Sequence, residues 1–157
     1  MEFEASSTLH PVQGKATNLV GYLEANFADG TLALDPPPKM HVEFQVERLR
    51  SGNSLQDREM WKLIDSRRFP LIAADLRDIK PNGTPGSYSA SGDITLAGRQ
   101  RRYDGALSVT PNGEGVAVEG ELVLDIRDFG LQPPRLLMVK VQPEVTVRLR
   151  LVATKQN

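Results

Sequence analysis

Apolar and polar residues alternate along most of the chain, which is the spacing of β-strands with one buried face. The longest alternation runs from Val116 to Ile126, with apolar residues at every second position. Shorter runs cover residues 42–47 and 88–96. Between two further apolar runs stands Asp29-Gly30, a dipeptide that favours a tight hairpin turn. The pattern therefore predicts a β-protein built from antiparallel neighbours.

The remaining strands are predicted at residues 3–9, 19–27, 31–34, 71–79, 103–109 and 139–151, the last interrupted at Pro143. Arg99 to Arg102 is predicted as a basic turn, and residues 129–135 as an irregular link. The total of about eight strands with short connections is typical of an up-and-down barrel or a sandwich. Glycines on the inward faces favour the barrel, because coiled strands need positions without bulky side chains; they are Gly21, Gly92, Gly105 and Gly120.

One segment, residues 55–68, is predicted as a short helix among the strands. Ser54 with Asp57 is a variant of the capping box, and it marks the helix start. Pro70 forbids a helical amide and disfavours helix at the residue before it, so the helix should end by about Arg68.

Apolar residues of this helix form one stripe at Met60, Trp61 and Ile64, with Leu63 beside them. We expect Trp61 to anchor the helix against the interior. The helix is held mainly by this stripe and two links, so it is also where a cover over the interior would move.

Composition limits the classes of function. The 157 residues match one domain, so residues 1–157 are treated as a single unit. A net charge of -1 gives no field that would attract nucleic acid. With no cysteine and only His10 and His41 as imidazole donors, no metal site is predicted. No run is long and apolar enough for a membrane span.

Candidate catalytic groups are few. Ser7 and His10 would need an acidic partner and an oxyanion site, and a strand end with an exposed histidine explains them better. His41 has no partner at ligand spacing and fits a surface or cross-strand position. Arg99 to Arg102 could hold an anionic head group, although a solvated turn is the commoner role. No enzyme motif is found, so we expect a protein without catalytic activity.

The inward faces are almost wholly apolar, and an eight-stranded barrel can either be filled by side chains or hold one slender ligand. For the second case, the predicted ligand-binding residues are Phe44, Val46, Met60, Trp61, Ile64, Phe69, Ile94, Leu96, Leu107, Leu122, Leu124, Phe129, Val147 and Leu149. Asn53 and Asp57 are predicted as a polar entrance, with the alternative that they bond backbone amides at the helix start.

Three stretches, in this order, resemble the YceI-like family of polyisoprenoid-binding proteins. They are Ser51 to Asn53 followed by Asp57, Met60, Asp65 and Phe69-Pro70; then Ser91 to Gly98; then residues 125–134. Two features depart from the family pattern: Gln56 stands where an arginine is usual, and no signal peptide is visible.

The resemblance implies an antiparallel, eight-stranded, lipocalin-like barrel that binds a polyisoprenoid. Our first hypothesis is that the barrel binds, and could carry or store, a long apolar lipid (a polyisoprenoid, an isoprenoid quinone or a fatty acyl chain) without covalent chemistry. Two alternatives remain: a packed barrel acting as a structural or interaction protein, which could form a homodimer, and, ranked last, an enzyme acting on a lipid. The start MEFEASST lacks a basic or apolar segment, so we expect a cytoplasmic protein, or a periplasmic or secreted one if a signal peptide was removed.

Overall fold

A computed structural model describes residues 2–7, 12–15, 19–28, 30–113, 115–133, 135–136 and 139–154. Within them, the strands are β1 Glu2–Ser7, β2 Val12–Lys15, β3 Val20–Glu24, β4 Phe27–Ala28, β5 Thr31–Leu32, β6 Lys39–Gln45, β7 Leu71–Pro81, β8 Ser87–Leu96, β9 Arg99–Asn112, β10 Gly115–Asp125, β11 Arg135–Leu136 and β12 Val139–Ala153. The helix α1 covers Ser54–Ile64, and Val46–Arg48 and Ile126–Phe129 form 3₁₀ turns.

The main sheet is antiparallel and follows the order β2-β1-β12-β10-β9-β8-β7-β6-β3, with β11 paired to β12 and β4 paired to β5. It is strongly curled into a half-barrel, which confirms the predicted fold class. The strand count exceeds the predicted eight, partly because β4, β5 and β11 are pairings of only two residues each. In the part of the chain that the structure describes, β2 and β3 are the ends of the sheet path.

The predicted hairpin at Asp29-Gly30 is confirmed by the pairing of β4 with β5, although Asp29 itself lies outside the described residues. The predicted first strand ends at Ser7, and the last two residues assigned to it, like His10, also lie outside them. Within the described ranges, no helix has both the length and the apolar character needed to cross a membrane.

The prediction of a turn at Arg99 to Arg102 is wrong, because these residues begin β9. The turn consists of Ala97 and Gly98, which have φ angles of 52° and 74°. Two consecutive positive φ angles are typical of the tightest hairpin turns, whose twist matches that of the strands. The strand therefore resumes at Arg99 without a longer basic loop.

The predicted break at Pro143 is also absent, since β12 is continuous there. Ala5 pairs with Val145, and Ser7 pairs with Val141, so the pairing of β1 with β12 is irregular opposite the proline. A proline has no amide to donate, and it is tolerated where such an irregularity interrupts the hydrogen-bond ladder.

The interior contains two groups of buried side chains. The first, which we call the upper cluster, includes Phe44, Val46, Leu49, Ile64, Leu96, Leu124 and Phe129. The second, the lower cluster, includes Leu32, Tyr88, Leu107, Val109 and Val118. Alternation along the strands brings both clusters to the inner face, while β10 and β12 carry charged pairs on the outer face, such as Glu121 with Arg148 at 3.2 Å.

Glycines on the inner face allow neighbouring strands to approach closely. A Cβ at Gly92 would lie 2.6 Å from the backbone oxygen of Asp75, and one at Gly105 would lie 2.7 Å from that of Glu121. A Cβ at Gly21 would overlap the backbone oxygen of His41. The strong curl of the sheet therefore depends on the absence of a side chain at these positions.

We expect Gly92→Ala to lower the free energy of unfolding by about 1 to 3 kcal/mol, because the added methyl group displaces the backbone of β7. Gly120→Ala is the matched control, since its methyl group would meet Leu107 at 3.4 Å, an ordinary contact. Urea unfolding measures both variants. Equal destabilisation of the two would contradict the role of close approach at Gly92.

Candidate functional site

The upper part of the interior contains a cavity of about 250 Å³, which is lined almost wholly by apolar side chains. The polar side chains in its lining are Ser51, Gln56 and Gln142. Ser51 and Gln56 are half-buried and Gln142 is exposed, so the lining reaches solvent at these residues. These three residues are called the mouth.

Nine of the predicted ligand-binding residues line the cavity: Phe44, Met60, Ile64, Ile94, Leu96, Leu122, Leu124, Val147 and Leu149. They come from β6, α1, β8, β10 and β12, so the curl of the sheet brings together residues far apart in the chain. The cavity shows that this part of the interior is not filled by interlocked side chains.

Five predicted ligand-binding residues are not part of the lining. Val46 and Phe129 are fully buried in the two 3₁₀ turns, and Leu107 belongs to the lower cluster. Phe69 packs against Gly98 at the turn between β8 and β9. Trp61 is half-buried and packs against the upper cluster, as expected of an anchor, while its Nε1 donates to the chain before the helix.

Other lining residues were not among those predicted. Leu49 and Leu131 lie in irregular segments, where a strand period gives no orientation, whereas Ile126 is the last residue of the predicted alternation and begins a 3₁₀ turn. Ala73 and Ala74 are too small to stand out as apolar anchors. Strand alternation placed Leu19, Val42 and Val145 on inward faces, so the sequence could have predicted them. Leu63 lies beside the predicted helix stripe and could also have been included. Ile72 had no predicted face.

Helix α1 covers the cavity with one face. Gln56, Met60, Leu63 and Ile64 line the cavity at the spacing of successive helical turns. The helix ends at Ile64, earlier than the predicted Arg68, because Asp65 adopts a left-handed conformation with φ of 63°. Its amide and the next one bond back to the last turn, which satisfies free carbonyl groups there.

The adjoining face of α1 contacts the link between β6 and the helix. The Asp57 carboxylate accepts hydrogen bonds from the backbone amide and the hydroxyl of Ser51, both at 2.7 Å. Trp61 Nε1 donates to the Leu49 carbonyl at 3.1 Å, and the Arg50 guanidinium lies 4.8 Å from the indole centroid. Helix and link are therefore joined at several points.

The two residues predicted as a polar entrance make hydrogen bonds at the start of the helix. Asn53, rather than Ser54, is the N-cap, and its side chain accepts from the amides of Leu55 and Gln56. Asp57 is 3% exposed and bonds Ser51. Neither Asn53 nor Asp57 lines the cavity.

Residues 126–131 form another part of the wall of the cavity, where Ile126 and Leu131 line it. This segment is fixed by Tyr103, whose hydroxyl donates to the Asp128 carboxylate and accepts from the Asp125 amide at 3.3 Å. Burial, followed by the bond to Asp128, raises the pKa of Tyr103 to about 12. The hydroxyl therefore stays protonated and keeps donating at neutral pH.

A cluster of titratable side chains around His41 lies on the outer face of the sheet and not in the cavity. His41 Nε2 lies 3.0 Å from Glu43, and Nδ1 lies 2.6 Å from Asp75 on the neighbouring strand. The ring of Tyr22, on β3, stacks on the imidazole. The predicted cross-strand position of His41 is confirmed. Within the described ranges, no group of acidic or histidine side chains has the arrangement of a metal site.

A curled antiparallel sheet with an apolar interior cavity and a covering helix defines a class of protein that can enclose an apolar ligand. The chain belongs to the YceI-like domain family, whose model matches residues 2–153. Among curated proteins, no sequence match is found.

Solved structures share the fold. The chain is similar to BcnA of Burkholderia cenocepacia, with 19% identity, a TM-score of 0.78, and coverage of 98% of this chain and 96% of that one. The Campylobacter jejuni YCEI protein has 10% identity and a TM-score of 0.76, over 93% and 86% of the two chains. A polyisoprenoid binding domain from Saccharophagus degradans, implicated in plant cell wall breakdown, has 12% identity and a TM-score of 0.65, over 96% and 90%.

We expect Asp57→Ala to lower the free energy of unfolding by about 1 to 3 kcal/mol, because the amide of Ser51 loses its acceptor in a partly buried setting. Glu59→Ala, which removes an exposed carboxylate two residues further along, should change stability by less than about 0.5 kcal/mol. Urea unfolding midpoints compare the two. If Asp57→Ala lowers the free energy of unfolding no more than Glu59→Ala does, Asp57 does not join the link to the helix.

A second expectation concerns pH. Hydrogen bonds to Glu43 and then to Asp75 raise the pKa of His41 above its ordinary value of 6.5. The folded state thus favours charged His41, so its stabilisation is fully present below the unfolded pKa and is lost as pH rises through the higher folded pKa.

The stability difference between wild type and His41→Gln should therefore shrink, by up to about 1 kcal/mol, as the pH rises from about 6 to about 9. Taking the difference removes contributions common to both proteins, including that of His10. A difference that stays constant or grows over this range would show that the carboxylates do not stabilise the imidazolium.

Proposed function

We propose that this protein binds the apolar tail of a lipid, such as an isoprenoid or fatty acyl chain, inside the upper cavity, without covalent chemistry. The observation that carries the proposal is a cavity of about 250 Å³ with an almost wholly apolar lining under a short helix. An engineered cavity of about 150 Å³ already binds benzene, so the available space suffices for a longer hydrocarbon.

Energetics support a tail over a polar ligand. Each buried CH₂ group contributes about 0.8 kcal/mol, whereas a polar group without a partner costs about 1 to 3 kcal/mol. Among the described residues, the polar side chains of the lining are those of the mouth: Ser51, Gln56 and Gln142. The tail would therefore lie inside and any polar head group at the mouth, with α1 as the cover.

Membership of the YceI-like family and the fold shared with a polyisoprenoid binding domain support the same class of ligand. The alternative of a fully packed barrel receives less support, because the buried side chains of the upper cluster leave a cavity among the described residues, whereas those of the lower cluster pack together.

Organic extraction of the purified protein followed by mass spectrometry, together with uptake of a labelled isoprenoid alcohol, tests the proposal. We expect an apolar lipid to be recovered or the labelled alcohol to bind in a saturable manner. Finding no lipid and no saturable uptake would overturn the proposal.

Two neighbouring residues of β10 provide matched variants. Leu122 lines the cavity, whereas Val123 is 54% exposed on the outer face. We expect Leu122→Gln to weaken uptake by about tenfold or more, because the amide contacts the tail without a hydrogen-bond partner. Val123→Gln should leave uptake unchanged, and equal effects would place the ligand elsewhere.

A further inference from the structure

Among the described residues, the lining of the cavity ends where the lower cluster begins, so this cluster forms the floor of the cavity. On β6, Val42 lines the cavity and Met40 packs against the lower cluster. On β12, Leu149 lines the cavity and Leu151 packs below. The inward positions of β6 and of β12 therefore each change from lining the cavity to packing in the lower cluster.

Leu107 lies at the centre of this floor. It pairs with Gly120 on β10 and with Tyr88 on β8, and a Cβ at Gly120 would lie 3.4 Å from its Cδ1. Gly120 in turn pairs with Leu149, a lining residue. Leu107 and Tyr88 are 8% and 4% exposed. The side chain of Leu107 thus fills the space that Gly120 leaves free, directly beneath the cavity.

The volume limits how much hydrocarbon fits. The cavity of about 250 Å³ compares with about 150 Å³ for an engineered cavity that holds the six carbons of benzene. In proportion, the cavity holds roughly ten carbon atoms.

The length of the cavity agrees with this volume. On β12 the lining extends from Gln142 to Leu149. At about 3.3 Å per residue and a strand tilt of about 40°, this is about 18 Å along the barrel axis. An extended hydrocarbon with bonds of about 1.5 Å advances about 1.3 Å per carbon, so roughly fourteen carbons span it.

We infer that the lower cluster acts as a stop that limits the enclosed tail to at most roughly fifteen carbons, and that Leu107 is the residue that determines this limit. The inference rests on the proposed function and adds the length of tail to it. Carbons beyond the limit would remain outside the mouth, in water, where they add no burial energy.

Competition between a bound fluorescent acyl probe and isoprenoid alcohols of increasing length tests the limit. We expect affinity to rise at least about tenfold from geraniol to farnesol, because further CH₂ and CH₃ groups are buried, and less than about threefold from farnesol to geranylgeraniol. A rise as steep in the second step as in the first would overturn the limit. Binding of none of the alcohols would instead overturn the proposed function.

Leu107→Ala should allow a longer tail to be enclosed, because it opens space beneath Gly120. In this variant geranylgeraniol should bind at least about threefold more tightly than farnesol. Leu32→Ala is the matched control, since Leu32 is equally buried in the lower cluster but lies on β5, outside the row of Leu107, Gly120 and Leu149. The same gain in Leu32→Ala, or no gain in a folded Leu107→Ala, would contradict the role of Leu107.

Ala74→Leu gives a second test that does not remove packed side chains. Ala74 lines the cavity at the level of Val42, with which it pairs. The larger side chain should shorten the available space, so the advantage of farnesol over geraniol should fall below about threefold. If the variant prefers farnesol over geraniol as strongly as the wild type does, the floor does not lie near Ala74.

Discussion

The structure depends on close backbone contact between neighbouring strands on the inner face of the sheet. Where Gly21, Gly92 and Gly105 lie, the carbonyl oxygen of the next strand occupies the place of a side chain. This contact allows the strands to bend together, and the bend turns an antiparallel sheet into a half-barrel with an inside. Without it, the apolar faces of β6, β8 and β12 would not surround a common space.

The enclosed space is divided into two parts with different physical roles. The lower cluster is packed and supplies stability through burial, with Val118 fully inaccessible. The upper part gives up some of that packing to keep a cavity, and the segment from Leu49 to Ile64 covers it. The packed lower cluster and the cavity thus lie at different ends of the same strands, and they meet at Leu107.

Sequence alternation predicted the inward faces well, because a period of two fixes the orientation of every residue once one strand is placed. Phe44, Leu122 and Leu149 illustrate this. The pattern failed where no period applies. Val46 and Phe129 belong to 3₁₀ turns, and the position of Trp61 beside Leu49 depends on a hydrogen bond between distant residues. The depth of the cavity could not be predicted from the sequence either. Leu107 and Leu149 occupy equivalent inward positions in the alternation, and they differ only in whether packed side chains or the cavity lie beside them.

The hydrogen bond from the Val46 amide to the Pro70 carbonyl, at 2.8 Å, joins the two ends of the segment that carries α1. The chain therefore leaves the sheet and returns to it at one place. Loop-closure entropy changes by only about 0.6 kcal/mol when such a segment doubles in length. Covers of different size could accordingly be exchanged on the same sheet, through insertion, deletion or grafting between Val46 and Pro70, while strand pairing stays intact.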